Sequence, residues 1–252
     1  MEDLLGQHLV LNEARGSYEL AIGESRISMV ANGSSSSGLF YRRYSEAGEL
    51  VSESLVASDE NTLVLGVFPS PPLYTPKCIA NNMYLKFKSS IIVDQKSDVV
   101  LYTTMPIEIA VYRQSRDEEI LLDAFALQRQ KYAVYGSPEA GVVCRYNEVE
   151  VKSNKDEISP ARYKEALVRI AIRNEIDNIV KVNKVIIPMD NTLLNHVHDD
   201  SWLPGTVEMS LNQTFGKDVI SVRLVDAKTK PMDKTSIAGK QDSMTFLMDA
   251  GY

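Results

Sequence analysis

The sequence predicts an all-β fold made of two antiparallel β-sandwich-like units, with at most one short helix. Short segments rich in Val, Ile, Tyr and Thr alternate between apolar and polar residues, and clusters of Gly, Pro, Asn, Asp and Ser separate them. The chain has 252 residues, enough for two small sandwiches or a large one. One long two-sheet sandwich is therefore the alternative architecture.

The predicted strands follow one another along the whole chain. Turns at Gly23 and Gly48 join the first four strands into two hairpins, because glycine adopts the positive φ that tight turns need. A proline-rich connection begins at Pro69, since prolines lack the backbone donors of a sheet interior, and Pro106 favours a bulge or a corner. The expected strands are 17–22, 26–30, 39–44, 50–56, 62–68, 83–87, 98–104, 107–113, 167–173, 180–187, 193–198, 206–212 and 219–226.

A helix competes with a strand at Glu118–Lys131. Leu121 and Phe125 recur at helical spacing, whereas Ile120 and Leu122 also suit a strand, so both assignments stay open. Further along, residues 151–162 are polar and lack periodicity, which is typical of a linker or a long crossover. We therefore expect an N-terminal unit over residues 1–150 and a C-terminal unit over residues 163–252.

Composition and charge exclude several classes of partner. The chain carries 27 Lys and Arg against 34 Asp and Glu, a net charge of -7, which argues against nucleic acid as a partner. Neither a basic signal sequence nor an apolar run of bilayer length is visible, so no membrane association is expected. Two cysteines without a CxxC pair fit a reducing compartment, and we expect a cytoplasmic protein.

From Ile79 onward, the order of segments carries a family resemblance. Its phrases are MYLKF at 83–87, LYTTMPIEIAVY at 101–112, QKYAVYGSPEAGVVCRY at 130–146 and RIAIRNEIDNIVKVNKVIIP at 169–188. This order resembles an uncharacterised family of archaeal proteins of unknown function. The resemblance implies a cytoplasmic archaeal protein and carries no activity with it.

The strictly spaced catalytic motifs of common enzyme families are absent from the sequence. The sequence has no GxxxxGK[ST] phosphate loop, no GxGxxG dinucleotide turn, no HExxH helix and no GxSxG nucleophile elbow. These motifs are strict in their spacing, so most nucleotide-dependent enzymes and hydrolases are disfavoured. We expect no cofactor and favour a non-enzymatic protein, with enzymatic activity left open.

A candidate ligand-binding surface surrounds the loop Gly136–Gly141. Tyr132, Tyr135, Arg145 and Tyr146 bracket this loop, and tyrosine and arginine combine a large contact area with directional donors. The alternative is structural, because the glycines suit a turn and the tyrosines then cap the sandwich edge.

A candidate metal site lies in the run HVHDD. His196, His198 and Asp200 occupy alternate positions, so on one extended strand they project from the same face. Imidazole and carboxylate ligands suit zinc, iron or nickel. The alternative is a solvated strand end.

The sequence also predicts whether the side chains of Cys144 and Glu108 are buried or exposed. Cys144 follows two valines and is expected to be a small buried apolar residue rather than a nucleophile. Glu108 alternates with Ile107 and Ile109, so we expect its carboxylate on the outward face of the strand, and a buried acid is the alternative.

The leading functional prediction is a binding or assembly module that takes a protein partner or forms a homo-oligomer. β-Sandwiches offer flat faces and edge strands to partners. A metal-dependent enzyme or metal-binding protein centred on His196 and His198 is one alternative. A binder of carbohydrate-like small molecules, which uses the tyrosine-rich loop, is the other.

Overall fold

The structure is a computed structural model that describes residues 5–12, 17–31, 38–57, 62–74, 80–114, 119–136, 141–189, 194–197, 200–203, 205–214 and 217–225. Eighteen strands and one 3₁₀ turn, Lys155–Glu157, lie within these residues. The strands up to residue 125 are β1 (Gln7–Asn12), β2 (Ser17–Ile22), β3 (Ser25–Ala31), β4 (Gly38–Tyr44), β5 (Leu50–Ala57), β6 (Thr62–Ser70), β7 (Asn82–Val93), β8 (Asp98–Pro106), β9 (Glu108–Gln114) and β10 (Glu119–Phe125). The remaining strands are β11 (Lys131–Tyr135), β12 (Val142–Val149), β13 (Glu165–Asn174), β14 (Val180–Pro188), β15 (Asn195–Val197), β16 (Asp200–Trp202), β17 (Thr206–Thr214) and β18 (Lys217–Val225).

The predicted fold class is confirmed: the protein is all-β and sandwich-like. No α-helix occurs among the described residues, and accordingly no helix in that part of the chain is long and apolar enough to cross a bilayer. The strands form four sheets that pack around two hydrophobic cores. The stability of such a fold comes from the inward side chains of alternating strands, as the two-residue period of the sequence indicates.

The first sandwich consists of the sheet β1-β6-β9-β10 and the meander β2-β3-β4-β5. All strand pairs within these two sheets are antiparallel. Alternate side chains from both sheets enter one shared core. Its fully or nearly fully buried members are Leu5, Ile22, Ile27, Met29, Leu39, Tyr41, Val56, Leu65, Val67, Ile109, Val111 and Phe125.

A polar cluster lies between the two sheets of the first sandwich. The Tyr41 hydroxyl donates to Asp123 Oδ2 over 2.9 Å, and Arg43 Nε donates to the same oxygen over 2.7 Å. The Arg43 guanidinium also lies 4.5 Å above the Phe125 ring centroid. Burial, and next the Asp123 carboxylate, raises the pKa of the Tyr41 hydroxyl, so Tyr41 remains a donor to Asp123. The cluster thus ties β4 to β10 across the sandwich.

The second sandwich consists of the sheet β11-β12-β7-β14 and a six-stranded sheet centred on β13. In the latter, β8 pairs with β13 on one side, and β16 and β17 pair with it on the other. Three pairs are parallel, namely β12 with β7, β13 with β16 and β13 with β17. The second sandwich therefore contains parallel strand pairs in addition to the antiparallel pairs that we predicted. Parallel neighbours need long crossover connections, and local sequence patterns do not show which strands such connections bring together.

The predicted division into residues 1–150 and 163–252 does not follow the sheets. β8 pairs with β13 over nine residues, and β7 pairs with β14. Backbone hydrogen bonds therefore join strands that precede residues 151–162 to strands that follow them. The chain instead passes between the sandwiches next to Pro106. Met105 and Ile107 belong to the second core, and Ile109 already belongs to the first. Each sandwich is thus built from segments that are not contiguous in sequence.

The segment Glu118–Lys131, where a helix and a strand competed, contains strand β10. Its pairing with β9 shifts register between Leu121 and Asp123, which marks a β-bulge. A bulge adds one residue to the strand and shifts the apolar residues out of strict alternation, which produces the helical spacing in the sequence. The proline-rich connection also begins later than predicted, because Pro69 lies in β6, beyond the residues that pair with β1.

Candidate functional site

Tyr132 and Arg145 lie together at the end of the second sandwich. Tyr132 pairs with Arg145 across β11 and β12, and Arg145 pairs with Met83 of β7. Side chains of paired residues project to the same face of a sheet, and Met83 belongs to the core, so Arg145 points inward. Arg145 Nη1 donates to the Tyr132 hydroxyl over 3.4 Å, and the guanidinium lies 5.7 Å from the Tyr132 ring centroid.

The Arg145 guanidinium forms an ion pair with the first sandwich. Its Nη1 lies 3.5 Å from Glu108 Oε1 of β9, and the two side chains are 1 % and 0 % exposed. The backbone N–H of Tyr74, in the connection between β6 and β7, donates to Glu108 Oε2 over 2.7 Å. We refer to Glu108, Arg145, Tyr74 and Tyr132 as the junction cluster, because these residues lie where the two sandwiches meet.

The solvent exposure that we predicted for Glu108 is wrong, because its side chain is 0 % exposed. The apolar face of β9 packs into the sandwich cores, as expected, but the opposite face at Glu108 is covered by Tyr74 and Arg145. The residues of a single strand contain no information about this cover, because it comes from the other sandwich and from the connection between β6 and β7. An acidic residue in an otherwise apolar strand was the available signal for this site.

The chemistry of the junction cluster follows from its burial. A carboxylate and a guanidinium that leave water together neutralise each other, and the Tyr74 N–H satisfies a second carboxylate oxygen. Since both charged groups are sealed from solvent, a dissolved molecule can reach the cluster only at its two tyrosines, Tyr132, which is 39 % exposed, and the partly exposed Tyr74. This geometry suits the joining of two sandwiches rather than acid–base chemistry on a substrate.

Tyr135 and Tyr146 belong to a different group of aromatic residues. Both rings contact Tyr84 edge to face, at centroid distances of 5.9 Å for Tyr135 and 5.4 Å for Tyr146. The Lys184 ammonium lies 5.2 Å from the Tyr135 ring centroid. Burial, and next Tyr146, raises the pKa of the Tyr84 hydroxyl. Tyr84 and Lys184 were not predicted, because they come from β7 and β14, far from the loop in sequence.

The four predicted ligand-binding residues therefore do not form one surface. Arg145 and Tyr146 are neighbours on β12 and project to opposite faces of the sheet, since Arg145 pairs with Met83 and Tyr146 pairs with Tyr84. Tyr132 shares the face of Arg145. Residues 137–140 of the central loop lie outside the described part of the chain, and ligand binding by this region stays a prediction.

The hairpin of β11 and β12 exposes apolar side chains. Val134 is 58 % exposed, its partner Val143 is 40 % exposed, and Tyr132 is 39 % exposed. Tyr132 and Val134 alternate along β11, so these three side chains lie on one face. Among the described strands, β11 pairs with β12 alone and forms the edge of its sheet. This hairpin face is an exposed apolar surface that adjoins the junction cluster, since Tyr132 belongs to both.

Cys144 is buried, as predicted. Its thiol donates to the carbonyl oxygen of Val142 over 3.5 Å, and burial raises the pKa of the thiol to about 11. A thiol of this pKa stays protonated at neutral pH and is a poor nucleophile.

The backbones of His196 and Asp200, two residues of the predicted metal site, lie on β15 and β16. The backbone of β15 pairs antiparallel with that of β16, and Val197 lies opposite Asp200. His198 lies outside the described residues, as do the side chains of His196 and Asp200. In the described part of the chain, no group of three or more His, Cys, Asp or Glu residues is placed to hold a metal ion. Metal binding by His196, His198 and Asp200 stays a prediction.

The fold and this geometry define a class: an all-β protein of two interleaved sandwiches, joined through a buried ion pair. The chain belongs to the family described as "Protein of unknown function (DUF432)", which matches residues 7–249. This match confirms the predicted resemblance to a family of unknown function. No curated protein and no solved structure matches the chain.

Proposed function

We propose that the protein is a non-enzymatic assembly module that pairs with a second copy of itself through the edge strand β11. The observation that carries the proposal is the exposed apolar face formed by Tyr132 and Val134 of β11 and Val143 of β12, in a hairpin whose strand β11 has a free edge among the described strands. Soluble proteins usually protect such edges with charges, prolines or bulges. In β11 the sequence KYAVY has one charged residue, Lys131, at its first position.

The sequence of β11 is suited to antiparallel pairing with itself. A two-fold axis at Ala133 places Tyr132 opposite Val134 of the second copy, and Lys131 opposite its Tyr135. Each pair then occurs twice, as a two-fold symmetric interface requires. An aromatic residue opposite a β-branched residue is a favourable cross-strand pair, and the lysine can lie over the tyrosine ring. A second copy therefore matches this edge without any rearrangement of the strand.

The test is the oligomeric state of the full chain, measured by size-exclusion chromatography with light scattering over a range of concentrations. We expect a concentration-dependent dimer that Val134→Lys converts into a monomer, because the substitution places a charge at the centre of the interface. Val10→Lys is the matched control, since Val10 is 61 % exposed and lies on β1, an edge strand of the first sandwich. A wild-type monomer at every concentration, or a dimer that survives Val134→Lys, overturns the proposal.

We also infer that the protein works in the cytoplasm of an archaeon. The family resemblance supports the archaeal source, and the free, buried thiol of Cys144 supports a reducing compartment. Fractionation of native cells, followed by detection of the protein, tests the location.

A further inference from the structure

We propose that the outer face of the six-stranded sheet binds a small phosphorylated sugar or polyol in a groove between Arg169 and Arg173. This inference concerns a face other than that of β11 and does not depend on self-association. The groove has a volume of about 240 Å³.

The sequence RIAIR of β13 creates the groove. Ile170 and Ile172 point into the second core, so Arg169, Ala171 and Arg173 project from the opposite face. Ala171 lies between Val100 of β8 and Glu208 of β17 in the sheet. Because the alanine side chain is short and the two arginines beside it are long, a depression forms above Ala171.

The cationic groups of the groove differ in their partners. The Arg173 guanidinium lies 3.4 Å from Asp98, and the Arg223 guanidinium lies 2.6 Å from Glu208. Arg169 donates from Nη1 to the Thr206 hydroxyl, and no described carboxylate lies within ion-pair distance of it. The groove itself is lined by two arginines, Arg169 and Arg173, and two carboxylates, Asp98 and Glu208, and Arg223 contacts Glu208 from outside this lining. Arg169 is therefore the lining arginine whose charge no described carboxylate pairs with.

This set of groups matches a phosphorylated sugar. Arginine presents a planar fork of donors that fits phosphate oxygens, and Arg169 can offer its free donors without breaking an ion pair. Asp98, Glu208 and the Thr206 hydroxyl lie at the same groove and can accept hydrogen bonds from ligand hydroxyls. The mixture of arginines with carboxylates favours a ligand that carries both a phosphate and hydroxyls over a bare anion.

The test is isothermal titration calorimetry of the full chain with glucose 6-phosphate, inorganic phosphate and glucose as probes. We expect saturable binding of glucose 6-phosphate, weaker binding of phosphate and none of glucose. Arg169→Gln should weaken glucose 6-phosphate binding by about tenfold or more, since it removes a charge-assisted contact. Ala171→Leu should abolish the binding because it fills the groove while every charge remains.

Arg26→Gln is the matched control, because Arg26 lies on the outer face of the first sandwich beside Glu19 and its loss changes the net charge equally. Far-ultraviolet circular dichroism establishes that each variant is folded. The proposal is overturned if glucose 6-phosphate gives no saturable signal or if Arg26→Gln weakens binding as much as Arg169→Gln. Equal affinities for phosphate and glucose 6-phosphate also overturn it, because the hydroxyls then contribute nothing.

Discussion

The junction cluster gives a sharp prediction about stability. Glu108→Ala removes the carboxylate that faces Arg145 at 3.5 Å and accepts from the Tyr74 N–H. The guanidinium is 1 % exposed, so water cannot replace the lost carboxylate without a rearrangement of the two sandwiches. The substitution also leaves a gap between β9 and β12.

The expected loss is large for a single substitution. Removal of one partner from a buried ion pair destabilises proteins by about 3–5 kcal/mol. For a chain of this size, 1 kcal/mol lowers the melting temperature by about 2–4 °C. Glu108→Ala should therefore lower the melting temperature by roughly 6–20 °C. Joint replacement by Glu108→Leu and Arg145→Met should recover most of this loss, because apolar residues of similar volume need no compensating charge.

The measurement is urea unfolding followed by two probes. Far-ultraviolet circular dichroism reports all strands, whereas fluorescence of Trp202, the single tryptophan, reports the second sandwich. In the wild type we expect coincident transitions, since the ion pair joins the sandwiches. In Glu108→Ala the two transitions should separate.

Glu19→Ala is the control, because Glu19 pairs with Arg26 at 3.9 Å on the exposed face of β2 and β3. An exposed pair contributes at most about 1 kcal/mol. If Glu108→Ala destabilises the protein no more than Glu19→Ala, or if the double replacement is worse than the single one, the ion pair does not join the sandwiches as we describe.

Two further predictions concern a turn and a thiol. Gly23→Ala should lower the melting temperature more than Gly48→Ala. Both glycines have a positive φ, of 55° at Gly23 and 78° at Gly48, so alanine is strained at either position. A Cβ at Gly23 would also lie 2.6 Å from Leu127 Cδ1, whereas a Cβ at Gly48 would meet nothing within 4 Å. Equal melting temperatures in a thermal scan contradict this. In a Cys78→Ser variant, Ellman's reagent should label native Cys144 at a rate that rises with pH up to about 11. Burial raises the pKa of this thiol to about 11, so the reactive thiolate is a minor species at any pH below that value. A rate that levels off near pH 9 contradicts the raised pKa.

Much of the local structure could be predicted from the sequence. β2 occupies the predicted residues 17–22, and β13 and β14 extend the predicted strands by one or two residues. In β13 the alternation of Val168, Ile170 and Ile172 with arginines identified the buried face correctly. Period-two patterns succeed here because each strand buries one face and leaves the other polar.

The candidate site was only partly predictable. Tyr132 and Arg145 are opposite each other in a hairpin, so local sequence brought them together. Glu108 reaches Arg145 from 37 positions away, and Tyr84 reaches Tyr146 through a parallel pair of strands. Such contacts depend on which sheets pack together, and a single-strand pattern contains no information about that.

By itself, the sequence determined that the chain forms strands, where most of them begin and end, and which side chains face a core. These properties depend on residues two to ten positions apart, where alternation, prolines and turn glycines act. Tertiary structure alone decided the pairing of β8 with β13 and of β7 with β14, and with it the interleaved sandwiches and the burial of Glu108 against Arg145. The physical reason is that strand partners and covered faces are chosen by the free energy of the whole packed assembly, in which distant segments compete for the same edges and surfaces.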